Sequence, residues 1–432
     1  MTDGIPRPKV ALIAIGDELL NGQQLDTNSA WLSERLWALG WEVVNITLLG
    51  DHEDQIVEAL AVQGRKMDLV LTTGGLGPTL DDLTRHAVAR AMGVELVLDQ
   101  AVVDWLTRLF ESFGRTMNES NKRQALFPAG AAVLQNNFGT APGFRIQHPG
   151  GAWMASFPGP PRELHAMFET ELVPFLRATF PAVPEPRMAS FHLFGVSESD
   201  FAAEVGPWME RAAMPRMGVC ASGRVLKVRI EDSGPAGHES MRVFEARVAE
   251  FETRFAPAIF SRQDPSTALA LGQLLMKESV TFACAESCTG GEIASRLVAQ
   301  AGISDVFLEG FVTYSNNAKR DRLGVPQELL DAHGAVSGPV VEAMALGAAK
   351  ACGARLAVST SGVAGPGGGS EEKPVGLVYI GVAIDGYVQS HELRFPDRGR
   401  DLIRDWAATS ACELARRALV ARLAGPGTQK NP

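Results

Sequence analysis

Short apolar runs alternate with amphipathic stretches along the first 180 residues. Four of these runs predict strands, over residues 10–15, 42–49, 68–75 and 152–156. Helical periodicity predicts helices between and after them, from a cap at Asp26–Thr27 through Leu39, then over 54–65, 82–92 and 161–178. Strands separated by helices indicate a parallel sheet with helices on both faces. We therefore predict an α/β domain over residues 1–180.

The rest of the chain predicts two further domains. PAVPEPR (181–187) holds three prolines and is typical of a semi-rigid linker. A small α+β domain is predicted over 188–258, with elements at 188–194, 198–213, 224–232 and 238–254. An α/β domain is predicted over 265–424, with strands at 280–285, 311–314, 355–360, 377–384 and 387–395 and helices at 267–277, 337–352 and 399–422. GPGTQKNP at the end of the chain predicts a disordered tail.

Composition narrows the class of protein. A length of 432 residues favours two or three domains. The net charge of −10 gives no general attraction to nucleic acid or to an anionic membrane. Five scattered cysteines argue against a disulfide framework and against structural zinc. Because there is no signal-peptide pattern and no apolar run of transmembrane length, we expect a cytoplasmic protein without a membrane or nucleic-acid partner.

AESCTGG (285–291) places a serine where a buried strand meets a helix start. A serine there lies beside unpaired helix amides, which can stabilise an oxyanion on a substrate carbonyl. The alternative is structural, because Ser287 or Thr289 can serve simply as a helix N-cap.

YSNNAKRDRLG (314–324) supplies Tyr314 at a strand end and Lys319 about one turn later. A neutral lysine in a dry site can act as the base for a serine nucleophile. Alternatively, Lys319 is a solvated surface lysine and Tyr314 a strand-end aromatic.

A glycine-rich loop follows the strand predicted at 355–360. Its glycines include Gly365, Gly367 and Gly368. Such a loop lets backbone N–H groups approach a phosphate, because no Cβ atoms obstruct it. It is neither a Walker sequence nor the dinucleotide-binding fingerprint.

The last domain resembles a known family. AESCTGG, FVTYSNNAKRDRLGV, HGAVS, SGVAGPGGGSEEKPVG and their order are similar to the CinA C-terminal domain, the nicotinamide mononucleotide deamidase family, over 265–422. The resemblance implies a cofactor-free and metal-free amidohydrolase acting on nicotinamide mononucleotide. It implies that Ser287 is the nucleophile, Lys319 the base and Tyr314 a supporting hydroxyl.

Further substrate contacts are expected around these three residues. We expect the amides of Thr289 and Gly290 to stabilise the oxyanion. The glycine loop is assigned to the 5′-phosphate through Gly365, Gly367 and Gly368. Ser337 in HGAVS is either a substrate contact or a helix N-cap, and the cap is favoured.

The first domain also resembles part of that family. IGDELLNGQQLDTNSAWL (15–32) and TTGGLGPTLDDLTRHAVAR (72–90) are similar to the Rossmann-like, molybdopterin-binding-like domain of full-length CinA proteins. The resemblance implies a metal-dependent ADP-ribose pyrophosphatase. Its expected site comprises Asp51, Gly74, Gly75, Asp81 and Asp82. Asp51 and Asp82 are the expected ligands for Mg²⁺ or a similar divalent ion, although both can be explained as helix-start residues.

The middle domain corresponds by resemblance to a KH-like module. It has no GXXG loop and no dense Lys/Arg cluster, so RNA binding is not supported. A spacer role or a contribution to a homodimer is the better interpretation. Two alternatives to a two-activity enzyme stay open: a deamidase whose first domain only binds a ligand, and a non-enzymatic adaptor in competence or DNA-damage responses.

Overall fold

The structure is a computed structural model that describes residues 7–181, 183, 186–210, 213–232 and 238–425. The chain divides into two compact units, one built mainly from residues up to 187 and the other from 188–232 and the residues after 241. The predicted linker lies partly outside the described residues, as does the predicted tail from residue 426 onward. Most of the predicted middle domain, residues 188–232 and 242–258, shares the second unit with the last domain, so the division into three domains stays a prediction.

The first unit contains a six-stranded sheet in the order β2-β1-β3-β8-β7-β6. Its strands are β1 (Lys9–Ile15), β2 (Glu42–Leu49), β3 (Leu69–Thr73), β6 (Ala132–Leu134), β7 (Gly143–Gln147) and β8 (Trp153–Phe157), and a separate antiparallel pair is formed by β4 (Leu96–Leu98) and β5 (Leu126–Pro128). The helices are α1 (Asp17–Leu20), α2 (Thr27–Ala38), α3 (Glu53–Gln63), α4 (Thr84–Met92), α5 (Gln100–Ser112), α6 (Pro161–Met167) and α7 (Val173–Thr179).

Four strands of this sheet are parallel, as the alternation of apolar runs predicts. β2, β1, β3 and β8 form the parallel part, whereas β7 and β6 add an antiparallel edge. One apolar cluster packs α3, α4 and α5 on one face, and a second packs α2, α6 and α7 on the other. The edge strands were not predicted because their short apolar runs have no clear periodicity.

Two predicted helices of the first unit differ from the structure. The stretch 161–178 is interrupted by a π turn, Phe168–Leu172, before Pro174. The helix expected from Asp82 begins only at Thr84, because the Asp82 carboxylate accepts hydrogen bonds from the preceding loop instead of capping a helix.

The middle part of the second unit has a four-stranded sheet in the order β10-β11-β9-β12. Its elements are β9 (Arg187–Phe194), α8 (Glu198–Val205), β10 (Arg216–Ser222), β11 (Val225–Asp232), α9 (His238–Phe255) and β12 (Ile259–Ser261). The helix predicted over 198–213 stops at Val205, and a 3₁₀ turn containing Pro207 follows. Proline has no N–H to continue the helical hydrogen bonds, which explains the early end.

The remainder of the second unit has a five-stranded sheet in the order β14-β13-β15-β16-β17. Its strands are β13 (Phe282–Glu286), β14 (Phe307–Val312), β15 (Leu356–Gly362), β16 (Leu377–Ile384) and β17 (Tyr387–Arg394). Its helices are α10 (Thr267–Glu278), α11 (Glu292–Val298), α12 (Asn316–Leu323), α13 (Gln327–His333), α14 (Gly338–Cys352) and α15 (Arg400–Leu423).

The first three strands of this sheet end at one common edge. β14, β13 and β15 are parallel, whereas β16 and β17 are antiparallel. Helices α10, α11 and α15 share an apolar cluster with the sheet, and α12, α13 and α14 share a second one. The carboxyl ends of the parallel strands therefore bring together the segments after Glu286, Val312 and Gly362.

A membrane-spanning helix must be long and apolar. No helix in the described part of the chain is both long enough and apolar enough to cross a bilayer.

Candidate active site

Ser287 lies directly after β13, at the common edge of the parallel strands. Its amide donates a hydrogen bond to the carbonyl of Thr360 on the neighbouring strand, 3.0 Å away. The residue is 9% exposed, so its side chain lies just beneath the surface.

Lys319 reaches the same point from the first turns of α12. The helix is capped by Ser315, whose hydroxyl accepts from the amide of Ala318 at 3.1 Å. Lys319 is only 1% exposed. Its Nζ is hydrogen-bonded to Ser287 Oγ at 3.0 Å, and it donates to the carbonyl of Thr313 at 2.9 Å and to the carbonyl of Tyr314 at 3.3 Å. The structure thus brings together the predicted nucleophile and the predicted base.

The surroundings of Lys319 make its neutral amine easier to form than that of a surface lysine. Burial lowers the pKa of Lys319 below its ordinary value of 10.5. Among the ion pairs formed by the described residues, none includes Lys319. A buried lysine without a carboxylate partner loses its proton more readily than a surface lysine.

Cys288, next to the serine, does not compete as a nucleophile. Burial raises the pKa of its thiol to about 12. Because the thiolate is the reactive form of cysteine, a thiol with this pKa is inert at neutral pH.

The structure pairs the Tyr314 hydroxyl with Arg400, and its expected supporting role at the serine stays a prediction. The residue is 60% exposed, and its hydroxyl accepts a hydrogen bond from Arg400 at 3.0 Å. Among the described residues, that hydroxyl bonds neither Ser287 nor Lys319. The residue supports Lys319 through its backbone carbonyl instead.

The two expected oxyanion donors differ in availability. The amide of Gly290 already donates to the carbonyl of Ser287 at 3.2 Å, which corrects the expectation for this residue. The amide of Thr289 has no acceptor within the described part of the chain. The Thr289 side chain is buried, with its hydroxyl 2.7 Å from that of Thr360.

The glycine loop and Ser337 border this edge of the domain. The carbonyl of Gly365 accepts from Arg400 at 2.9 Å. A Cβ added at Gly367 or Gly368 would meet nothing within 4 Å, so both glycines face open space. Ser337 holds the N-cap position of α14, but its hydroxyl donates to the carbonyl of Gly334 at 2.9 Å and makes no capping bond.

Three residues near the serine were not singled out from the sequence. Arg400 and Arg404 lie on the first turns of α15, and Arg404 donates to the carbonyl of Thr289 at 2.9 Å. Cations are unfavourable at a helix N-terminus, so two arginines there were a signal in the sequence. The third residue is Glu286, a fully buried carboxylate directly before Ser287.

The first unit has a second candidate site at the carboxyl ends of its parallel strands. One cavity is lined by all five residues that the sequence assigned to it, Asp51, Gly74, Gly75, Asp81 and Asp82. Gly74 has φ +100°, and a Cβ there would lie 2.1 Å from the carbonyl oxygen of Ile15. The close approach of β3 to β1 at this point therefore requires glycine.

The acidic residues of this cavity have different roles. The oxygens of Asp82 accept from the amides of Gly77 and Thr79 at 2.7 and 2.8 Å, which holds the loop in place. Burial, together with the charges of Asp17, Glu18 and Asp81, raises the pKa of Asp51. Among the described residues, no three His, Cys, Asp or Glu side chains are placed to hold a metal ion by themselves.

Comparisons with known proteins find family matches for both the first and the last part of the chain. The family model "CinA C-terminal domain" matches residues 265–419, and "Probable molybdopterin binding domain" matches 11–178. Competence-damage inducible proteins of Clostridium novyi and Clostridium acetobutylicum are 39% and 36% identical, each over 95% of this chain and 99% of the relative. A solved competence/damage inducible protein, CihA from Agrobacterium tumefaciens, is 44% identical over 36% of this chain and 96% of its own, with a TM-score of 0.34.

Proposed function

This chain belongs to the CinA family, and we propose that its second unit hydrolyses nicotinamide mononucleotide to nicotinate mononucleotide and ammonia. The observation that carries the proposal is the 3.0 Å hydrogen bond between Lys319 Nζ and Ser287 Oγ. Burying a lysine without a carboxylate is costly, and such perturbed groups concentrate at functional sites. A non-enzymatic adaptor would have no need of this arrangement. The substrate is the one that the family resemblance implies.

The chemistry proceeds in two steps. Neutral Lys319 accepts the hydroxyl proton of Ser287 as Oγ attacks the carboxamide carbon, and the amide of Thr289 donates to the developing oxyanion. The protonated lysine returns its proton to the departing nitrogen, and ammonia leaves. Lysine then deprotonates a water molecule that attacks the nicotinoyl ester, which releases nicotinate mononucleotide and restores the Ser287 hydroxyl.

Two arginines supply the positive charge that the substrate's phosphate needs. Arg400 and Arg404 lie one turn apart on α15, and each contacts a different site segment, at Gly365 and Thr289 respectively. Guanidinium groups bind phosphate strongly, because their donors match the geometry of its oxygens. We therefore assign phosphate recognition to these arginines together with the glycine loop.

A substitution at the nucleophile tests this proposal. Ser287→Ala removes the attacking oxygen, so we expect ammonia release from nicotinamide mononucleotide to fall by about 10³-fold or more. The control is Cys288→Ala, which alters a neighbouring buried thiol and should retain activity. An active, folded Ser287→Ala variant would contradict the assignment, as would loss of activity in the cysteine variant alone.

For the first unit we propose a second activity, the hydrolysis of ADP-ribose to AMP and ribose 5-phosphate. The observation in its favour is the concentration of carboxylates around Asp51, whose pKa is raised by burial and further by the charges of Asp17, Glu18 and Asp81. None of the ion pairs formed by the described residues includes Asp51. A divalent cation would relieve this repulsion. Mg²⁺ is commonly bound by one or two carboxylates plus substrate phosphates, which fits a cavity without three protein ligands.

In this proposal the protein residues orient the pyrophosphate. Asp51 and Asp81 would hold the cation in place of the expected pair Asp51 and Asp82, because both oxygens of Asp82 accept from loop amides. That loop lines the same cavity, so its amides would lie beside a substrate bound there. When bound, the cation supplies charge neutralisation on the pyrophosphate oxygens. Asp82 contributes mainly by fixing the loop.

Asp51→Asn tests the second activity. We expect it to lower magnesium-dependent ADP-ribose hydrolysis by about tenfold or more, because one anionic ligand is lost, while ammonia release continues unchanged. Asp54→Asn is the control, since Asp54 lies on nearby α3 and pairs with Arg90 at the surface. Hydrolysis that is indifferent to both magnesium chelation and Asp51→Asn would refute the proposal.

A further inference from the structure

Glu286 is a fully buried carboxylate at the last position of β13, one residue before the nucleophile. Its Oε2 accepts from the amides of Gly291 at 3.0 Å and Ile293 at 3.1 Å, and its Oε1 accepts from the amide of Ala294 at 2.9 Å. The thiol of Cys284 lies 3.5 Å from Oε1. A buried charge is tolerated when several donors satisfy it in this way.

The three amides are those at the start of α11. The sequence interpretation expected helix-start amides to face the substrate, but Glu286 occupies these three. A carboxylate also suits this place because the N-terminus of a helix carries partial positive charge. These three amides are therefore not available to an oxyanion, whereas in the turn between Ser287 and the helix the amide of Thr289 has no acceptor within the described residues.

This turn is fixed at both ends. The amide of Ser287 is bound to the carbonyl of Thr360, and the amide of Gly291 is bound to the Glu286 carboxylate. Between these points, Gly290 and Gly291 adopt positive φ values of 63° and 97°. The turn's conformation determines where Ser287 Oγ points and how far it lies from Lys319.

We propose that Glu286 is a positioning residue whose carboxylate sets the reactivity of Ser287 by holding the turn that carries it. It contacts no reacting atom in this account. The identity of the substrate rests on the proposed function, but the effect on the reactivity of the serine does not.

Glu286→Gln tests the proposal in the full-length protein. Glutamine keeps the shape, but its amide group replaces one acceptor oxygen with a donor that opposes the helix N–H groups. The readout is the rate at which a fluorophosphonate probe labels Ser287, with Ser287→Ala giving the background. We expect labelling to slow by about tenfold or more, because a small displacement of a reacting group lowers its reaction rate strongly. In the ammonia assay kcat should fall, with little change in KM.

Two further variants separate positioning from stability. Ser266→Ala removes a helix cap in the same domain, since Ser266 Oγ accepts from the amide of Leu269 at 3.2 Å. We expect it to lower the thermal midpoint and leave labelling unchanged. Glu286→Asp keeps the charge and should restore part of the labelling rate lost in Glu286→Gln.

The outcomes separate the two proposals. Labelling of Glu286→Gln at the wild-type rate would overturn the positioning role. If Glu286→Gln does not fold, Glu286→Asp decides: slowed labelling in the folded variant supports the role and a wild-type rate overturns it. If wild-type protein is labelled at Ser287 yet releases no ammonia from nicotinamide mononucleotide, the proposed substrate fails while the test of Glu286 stands.

Discussion

Burial changes the acid–base behaviour of Lys319. The same side chain in water would be an ammonium ion, and it could not accept a proton from a serine. Here its amine is surrounded by two backbone carbonyls and the Ser287 hydroxyl, and burial lowers its pKa. The base is therefore produced by the environment of the residue.

The pH dependence of the reaction follows from this lowered pKa. Only the neutral amine accepts a proton, so kcat/KM should rise by about tenfold per pH unit below the pKa of Lys319 and level off above it. The turning point should lie below 10.5, the ordinary lysine value. The free energy of unfolding should also rise with pH. Between the lowered pKa of Lys319 in the folded chain and its ordinary pKa in the unfolded chain, only the unfolded chain carries the proton, so raising the pH through this window favours the folded state.

Lys319→Arg tests this pH dependence, because arginine stays protonated and cannot act as the base. We expect activity to fall by about 100-fold or more at every pH, with no rising limb. Lys350→Arg, on α14, is the control and should keep the wild-type profile. A Lys319→Arg variant with a normal pH profile would show that another group is the base.

Sequence patterns identified Ser287 and Lys319 but not the conformations around them. The two residues were identified through the family resemblance, and the structure brings them together because each follows one of two adjacent parallel strands. The positions of the Tyr314 hydroxyl and the Glu286 carboxylate depend on contacts with α15 and α11, which periodicity does not reveal.

At the level of elements, the start of α15 connects the segments of the site. Arg400 donates to the Tyr314 hydroxyl and to the Gly365 carbonyl, so one side chain joins the segment after β14 to the glycine loop. A cation at a helix N-terminus is unfavourable by itself. An anionic ligand at this place would offset that cost.

Arg400→Gln should therefore weaken substrate binding more than chemistry. We expect KM for nicotinamide mononucleotide to rise by about tenfold, the equivalent of one charge-assisted hydrogen bond, with a smaller change in kcat. Activity on nicotinamide riboside, which lacks the phosphate, should be unaffected. Arg422→Gln removes a surface pair with Asp385 at the other end of the same helix and is the control. Equal losses on both substrates would argue against phosphate recognition.

Element boundaries show the limits of sequence patterns in the same way. β13 and β15 were predicted because each begins with an apolar run, FACA in one and LAV in the other, and the structure buries both strands. β6 and β10 were not predicted. β6 has only three residues and β10 is a mostly exposed edge strand, so neither gives a clear periodicity. The helix expected from Asp82 starts later because that carboxylate bonds the loop before it.

Over the whole molecule, the two units follow a common plan. Each has a parallel part in its sheet, and each candidate site lies where the parallel strands end, after β13 in one unit and after β2 and β3 in the other. The alternation of strands and helices predicts such a sheet edge in each unit, whereas the candidate residues there came from the family resemblance. The homodimer and the absence of nucleic-acid partners stay predictions.

The central claim is that Ser287 becomes acylated during the reaction. The direct measurement is acid quenching of wild-type protein during turnover of nicotinamide mononucleotide, followed by proteolysis and mass spectrometry. We predict a nicotinoyl ester on the peptide that contains Ser287, and none in Ser287→Ala. A nicotinoyl group on Cys288 or on any other residue would contradict the account.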